Sequence, residues 1–220
     1  MRTWLVLNVG DSSGPDAAPD CGADALLLDI CGADRARARE RARAFLLSAP
    51  RGAACPKLFA RVAPVDGGII DADLAALIPA APDGVFLDGA QGGACLQRLS
   101  AKLAVCEAEA GLADGATKIV AFAAQTPGAV FGLGTYAGAS RRLVGLALSP
   151  DDSTPAAEMA RGLLLLGAAA AGVAAIDAPF PDLADAAGLA AASRAARRAG
   201  FAGKLALDAA QIGVIAQIFA

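Results

Sequence analysis

The chain has 220 residues, a net charge of −3 and no histidine, and 56% of it is hydrophobic, which is core material for one large domain. The acidic balance leaves no electrostatic footprint for nucleic acid or an anionic membrane. Five cysteines (21, 31, 55, 95 and 106) without a Cys-x-x-Cys pair, and without histidine, all but exclude zinc-type sites. Their odd number and the lack of a legible signal peptide lead us to expect a reducing cytoplasm.

Apolar runs ending in polar or Gly/Pro residues recur along the chain. In order they are TWLVLNVG (from Thr3), DALLLDI (Asp24), KLFARVAP (Lys57), DGVFLDGA (Asp83), KIVAFAA (Lys118), RLVGLALSP (Arg142), GVAAIDAPF (Gly172) and GKLALDAA (Gly203). Their starts lie about 20 to 35 residues apart, near the ~30 of one βα unit. Helical spacing predicts helices over Arg35–Ser48, Gln97–Gly111, Pro155–Ala171 and Asp182–Ala199. Both strand faces read apolar, as in a parallel sheet covered by helices. The sum predicts one compact (β/α)8 TIM barrel over residues 1–220, with a shortened first helix in Ser12–Gly22 and a short last one after Asp208. A doubly wound open sheet is the alternative.

Three stretches invite a functional reading and receive a plainer one. DRARARERARAF (Asp34–Phe45) has helical spacing and reads as a solvated helix face. GLLLLGAAAAGVAAI (Gly162–Ile176) falls short of the ~20 residues of a membrane span and reads as a buried helix running into a buried strand. GLGTYAG (Gly132–Gly138) does not directly follow a strand, so it reads as helix-end turns rather than a dinucleotide loop.

In such a barrel, function sits at the C-terminal strand ends. The polar residues there are Asn8/Asp11, Asp29, Arg61, Asp88, Gln125, Asp151/Asp152, Asp177 and Asp208/Gln211. Any one Asp there can be the N-cap of the next helix. Arg61 lies in an apolar strand and must reach an acidic partner or a ligand. Cys31 and Lys204 read as structural rather than nucleophilic.

Read in order, ADALLLDI, LFARVAPVD, AAQTPGAV, GLALSPDD and RRAGFAGKLALDAAQIGVIAQIF resemble the HpcH/HpaI aldolase and citrate lyase beta-chain family over nearly the whole chain. ARGLLLLGAAAAGVAAID resembles that family's segment before strand seven. The resemblance implies a (β/α)8 barrel, usually oligomeric, that makes or breaks C–C bonds of 2-oxo acids and acyl-CoA or acyl-carrier thioesters with Mg²⁺. By resemblance Arg61 is the substrate arginine, and Gln125 and Asp152 occupy the metal-ligand positions. Asp208 stands at the His of the strand-eight motif and is the other catalytic candidate.

The match fails at the chemistry. Gln125 replaces the Glu of a Glu-Thr turn, and Ser149 replaces a turn glycine ahead of Asp152. Cys31-Gly32 stands for Glu-Asp, Asp88-Gly89 for Pro-Lys, and Asp208-Ala209 for His-Pro. Gln91 replaces an acid, and the family's segment after strand eight has no counterpart before Ala220. Weak or absent Mg²⁺ binding is therefore expected. The readings are an impaired lyase serving as a binding or assembly subunit, an active lyase with a rearranged site, or an unrelated barrel. Partners expected are a 2-oxo acid or acyl-CoA thioester and further copies or another subunit, with neither nucleic acid nor membrane.

Overall fold

Runs rich in Leu, Val, Ile and Phe, each closed by a polar or glycine residue, form strands because both faces of a parallel barrel strand are covered. The computed structural model describes residues 1–10, 21–32, 34–150 and 157–220. All eight expected strands are present: β1 (Thr3–Asn8), β2 (Ala25–Asp29), β3 (Lys57–Val62), β4 (Gly84–Leu87), β5 (Lys118–Phe122), β6 (Leu143–Ala147), β7 (Ala174–Asp177) and β8 (Gly203–Ala206). Neighbours pair in parallel in chain order, and β8 closes on β1 through Thr3 opposite Lys204, Trp4 opposite Leu205 and Leu5 opposite Ala206. The closure rules out the open sheet.

The helices described are α1 (Arg35–Ser48), α2 (Ile69–Leu77), α3 (Gly93–Glu109), α4 (Pro127–Phe131), α5 (Ala157–Ala171), α6 (Ala186–Ala199) and α7 (Ala209–Phe219). The spacing fixed α1 to the residue. It placed the start of α3 four residues late, because the Gly92-Gly93 opening lacks a side-chain cap. It started α6 at Asp182, whereas Asp185 is the cap, accepting from the Gly188 N–H. Most of the expected first helix, Ser12 to Asp20, lies outside the described residues. No helix among the described residues is long and apolar enough to cross a membrane.

Strand side chains alternate between two cores. Trp4, Leu27, Phe59, Phe86, Phe122 and Leu205 face the barrel axis. Their rings meet edge to face, with Trp4 5.0 Å from Phe59 and 5.2 Å from Phe86. Gly84, in register with Phe59, makes the space, since a Cβ there would lie 2.3 Å from the Phe59 ring. The other parity packs against the helices in one larger core.

Buried carboxylates fasten that helical shell to the barrel. Glu107 on α3 is fully buried and accepts from Arg142 Nη1 at 2.7 Å, the Thr117 N–H at 2.7 Å and the Gly115 N–H at 3.0 Å. Burial alone would raise its pKa, but the guanidinium and backbone donors outweigh it and hold the carboxyl at about 2. A depressed carboxyl stabilises the fold above its unfolded value and loses that contribution as pH falls through the folded one. The protein is therefore expected to lose on the order of 3 kcal/mol between about pH 4.5 and 2 through this group alone. Urea titrations across that range should show the loss, and Glu107→Gln should flatten it while lowering stability at pH 7.

Candidate active site

Strand parity builds the mouth. Leu27, Phe59 and Phe86 face the axis, so the residues two positions on, Asp29, Arg61 and Asp88, do too, above the aromatic floor. Asn8 ends β1 in register with Asp29, and its Oδ1 accepts the Gly10 N–H at 3.0 Å. Asp88 follows β4 and stays in the ladder, its N–H donating to the Val62 carbonyl at 3.0 Å.

Arg61 finds the acidic partners that its setting demands. It is 4% exposed. Nη1 donates to Asp29 Oδ2 at 3.1 Å and Nη2 to Asp88 Oδ1 at 3.0 Å. The guanidinium lies over the Phe122 ring, 5.2 Å from its centroid. Asp29 is fixed in turn by the Cys31 N–H at 2.9 Å.

Gln125 joins the same network. Its Nε2 donates to Asp88 Oδ1 at 2.9 Å, and its Oε1 accepts the Gly89 N–H at 2.7 Å. Chemistry fixes this orientation, since an ionised carboxylate only accepts and a backbone N–H only donates. Gly89 presents that N–H from a left-handed conformation, φ 59°, with Pro64 too close to admit a Cβ. Thr126 then caps α4, its Oγ1 accepting the Ala129 N–H at 3.1 Å, and its hydroxyl donates a hydrogen bond to Gln91 Oε1 at 3.1 Å.

The first turn of α1 closes one side of the mouth. Arg35 Nη1 donates to Cys31 Sγ at 3.6 Å. Burial first and the Asp29 charge second push the Cys31 thiol up to about 11, against the pull of Arg61, so it carries a proton and is a poor nucleophile. Arg35 and Arg39 both turn inward onto Asp73 of α2, at 2.6 and 2.7 Å. Two of the arginines expected on a solvated face are thus structural.

Asp73 was missed by sequence reasoning. It is fully buried and also accepts the Ala63 N–H at 2.8 Å, pinning the backbone just after Arg61. Its signal was legible: it falls on the Ile70, Leu74, Leu77 face, where a lone charge needs partners.

The other candidates lie elsewhere. Asp208 is exposed, and its carboxylate caps α7 through the Ala210 N–H at 2.8 Å. No hydrogen bond among the described residues joins it to the Arg61 network. Gln211 is turned away as well, holding the Leu207 N–H and the Phe180 carbonyl. Asp177 and Lys204 have the parity opposite to Ile176 and Leu205, so they meet outside the barrel axis. Lys204 Nζ lies 2.7 Å from Asp177, which Arg161 of α5 also contacts. Burial lowers the Lys204 pKa and the Asp177 charge opposes the drop. GLGTYAG forms a 3₁₀ turn, Leu133–Tyr136, where Gly132 brings its backbone against the Gln91 carbonyl. Asp11, Asp151 and Asp152 lie outside the described residues.

The described side chains do not fit a Mg²⁺ site. Magnesium takes hard oxygen ligands in an octahedron. Both ends of the Gln125 amide are engaged, and Asp29 and Asp88 each hold the guanidinium. No group of three acidic, histidine or cysteine residues able to hold a metal occurs among the described residues.

The family model for HpcH/HpaI aldolase/citrate lyase matches residues 10–209. Citrate lyase subunit beta of Leuconostoc mesenteroides subsp. cremoris is 27% identical over 212 residues, 90% of this chain and 70% of that one. RipC of Yersinia pestis superposes with a TM-score of 0.78 at 24% identity, covering 100% of this chain and 94% of that one. The M. tuberculosis citrate lyase beta subunit complexed with oxaloacetate and magnesium superposes with a TM-score of 0.73 at 22% identity, covering 99% and 96%.

Removing the guanidinium strands two partly buried carboxylates. Arg61→Met is expected to cost about 2–5 kcal/mol, measured by urea unfolding at pH 7. Arg61→Met combined with Asp88→Asn should cost less than the sum of the two single variants, which a double-mutant cycle reads directly.

Proposed function

Because the chain belongs to the HpcH/HpaI aldolase/citrate lyase family, we propose that it is a citrate lyase beta-like barrel with strongly impaired lyase chemistry, working as a binding or assembly subunit in the cytoplasm. The carrying observation is the occupation of Arg61. The arginine that resemblance assigns to a substrate carboxylate has one amino group on Asp29 and the other on Asp88, its own mouth's acids. An incoming 2-oxo acid must compete with two carboxylates for the guanidinium and enter beside their charge.

Gln125 supports the same reading. An amide at the metal-ligand position donates to Asp88, where a Glu would repel it. In the Arg61 network, among the described residues, two carboxylates face one guanidinium, a balance that does not supply the net positive charge that stabilises an enolate. Cys31 is protonated, and no histidine is available as a base. The five free thiols fit a reducing compartment.

One observation favours the second reading, an active lyase with a rearranged site. Asp29, Arg61 and Asp88 converge at the C-terminal strand ends, where barrel active sites lie, and a ligand able to part them would meet a carboxylate base and a guanidinium together.

Thermal shift and turnover separate the two. A ligand at 100 times its Kd adds about 2.7 kcal/mol, roughly 5–11 °C for a chain of this size. With 1 mM oxaloacetate or acetyl-CoA, with and without Mg²⁺, the shift is expected to stay below ~1 °C and C–C cleavage to stay at background. A Mg²⁺-dependent shift with turnover that Arg61→Ala abolishes would establish the active reading. Gln125→Glu is expected to lower the melting temperature without metal and to bind Mg²⁺ at least ~10-fold more tightly than wild type by calorimetry, as paired acids do.

A further inference from the structure

The last two helices, α6 and α7, pack side by side, and neither contains an acidic residue. Their capping acids, Asp185 and Asp208, stand at the helix starts, toward the mouth. The last turn of α6 lies just before β8 begins, at the end of the barrel remote from Arg61. Arg194, Arg197 and Arg198 are all exposed there, at spacings of three and four that set them on one helix face. With Gln217 and Ile218 of α7 they line a groove of about 360 Å³ whose lining includes no carboxylate. Structural duties account for little of this charge. The Ala196 and Arg197 carbonyls at the end of α6 accept the Gly200 N–H, so no arginine is needed to cap them. The helix dipole favours cations in the last turn, but Arg194 lies before it. Arg197 donates to the Ile218 carbonyl and ties the two helices together. Arg194 and Arg198 make no hydrogen bond or ion pair among the described residues. Elsewhere on the shell Arg51, Arg98 and Arg141 each meet an aspartate. Arg37 and Arg43 of α1 have Glu40 between them on the same helix.

We propose that this groove binds the phosphate of a small phosphomonoester, at a site separate from the barrel mouth. Two guanidinium groups without partners stand beside a third that a backbone carbonyl holds in place, with no acid among them. A phosphomonoester carries close to two negative charges at neutral pH and presents three acceptor oxygens. Arginine forks match such oxygens in pairs, and Gln217 adds an amide donor from the α7 wall. A carboxylate has one charge and two oxygens in a single plane, so it would leave part of this donor set unused. At about 360 Å³ the groove is near the lower end of small-molecule sites. That size suits a metabolite rather than a polymer. A chain of net charge −3 also gives a nucleic acid or an anionic membrane little attraction beyond the groove itself.

Titration of the full chain with glycerol 3-phosphate, followed by phosphorus NMR at low salt, tests it. Saturable binding is expected, with a Kd on the order of 0.1–1 mM. Arg194→Gln combined with Arg198→Gln should weaken it at least ~10-fold. The same pair should shift the melting temperature of the free protein by less than about 4 °C, since both side chains are in solvent. Arg37→Gln combined with Arg43→Gln removes as much charge from α1 and should leave binding within ~2-fold of wild type. Succinate, a dianion built from two carboxylates, should bind at least ~10-fold more weakly than the phosphoester. The proposal is overturned by an absence of saturation up to ~10 mM, or by binding that the α6 pair leaves unchanged. It is overturned equally by an equal loss in the α1 pair, which would mean general charge attraction, or by equal affinity for succinate. Binding to anionic lipid vesicles or single-stranded RNA, with none to the free phosphoester, also overturns it.

Discussion

A guanidinium inside an apolar barrel is the constraint around which the mouth is arranged. Arg61 is buried at a strand end above a floor of aromatic rings, where an unpaired charge would be prohibitive. Asp29 and Asp88 answer it from the two flanking strands, because parity sends all three to the axis. Each acid then needs its own remaining bonds: Asp29 takes the Cys31 N–H, and Asp88 takes the Gln125 amide. The amide in turn takes the Gly89 N–H, which only a glycine in that tight turn supplies. Two of the departures from the family pattern, Asp88-Gly89 and Gln125, thus share one hydrogen-bonded network with Asp29 and Arg61.

The shell shows the same logic with less exposure. Alanine-rich helices bury little area per residue, so dispersion and hydrophobic burial hold them less firmly than Leu-rich ones. Three buried acids take up part of that role. Asp73 ties α1 and α2 to the backbone after β3, Glu107 ties α3 to the start of β5 and β6, and Asp177 ties α5 to β8. Each carboxylate bridges a helix to a strand or its flank through several donors, which fixes direction as well as distance.

Legibility in the sequence followed how local each signal was. The strands and the barrel order could be read because each βα unit carries its own apolar run and stop. Arg61 could be flagged because a charge in an apolar strand is conspicuous within a few residues. Its partners could not be assigned, since Asp29 and Asp88 are 32 and 27 positions away and only closure of the barrel brings them together. Asp208 and Asp177 look alike in sequence, each an acid at a strand end. The first is a cap in solvent and the second a buried counter-ion to Lys204, a difference that parity and packing decide. The run Gly162–Ile176 reads as buried throughout, yet Gly162, Leu166, Ala169 and Ala170 on α5 are exposed: after Arg161 the helix is all Gly, Ala and Leu, which gives no periodicity from which to read which side is buried.

The placement of the aromatic chromophores has an optical consequence. The chain has one tryptophan and one tyrosine. Trp4 sits on the closing strand β1, inside the barrel against Phe59 and Phe86, while Tyr136 is buried in the outer layer between α3 and α5. The two rings therefore belong to different layers of the same molecule. Indole emission reports whether the strands remain closed, and phenol absorbance reports whether the helices remain seated, so unlabelled protein carries a separate spectroscopic reporter for each layer.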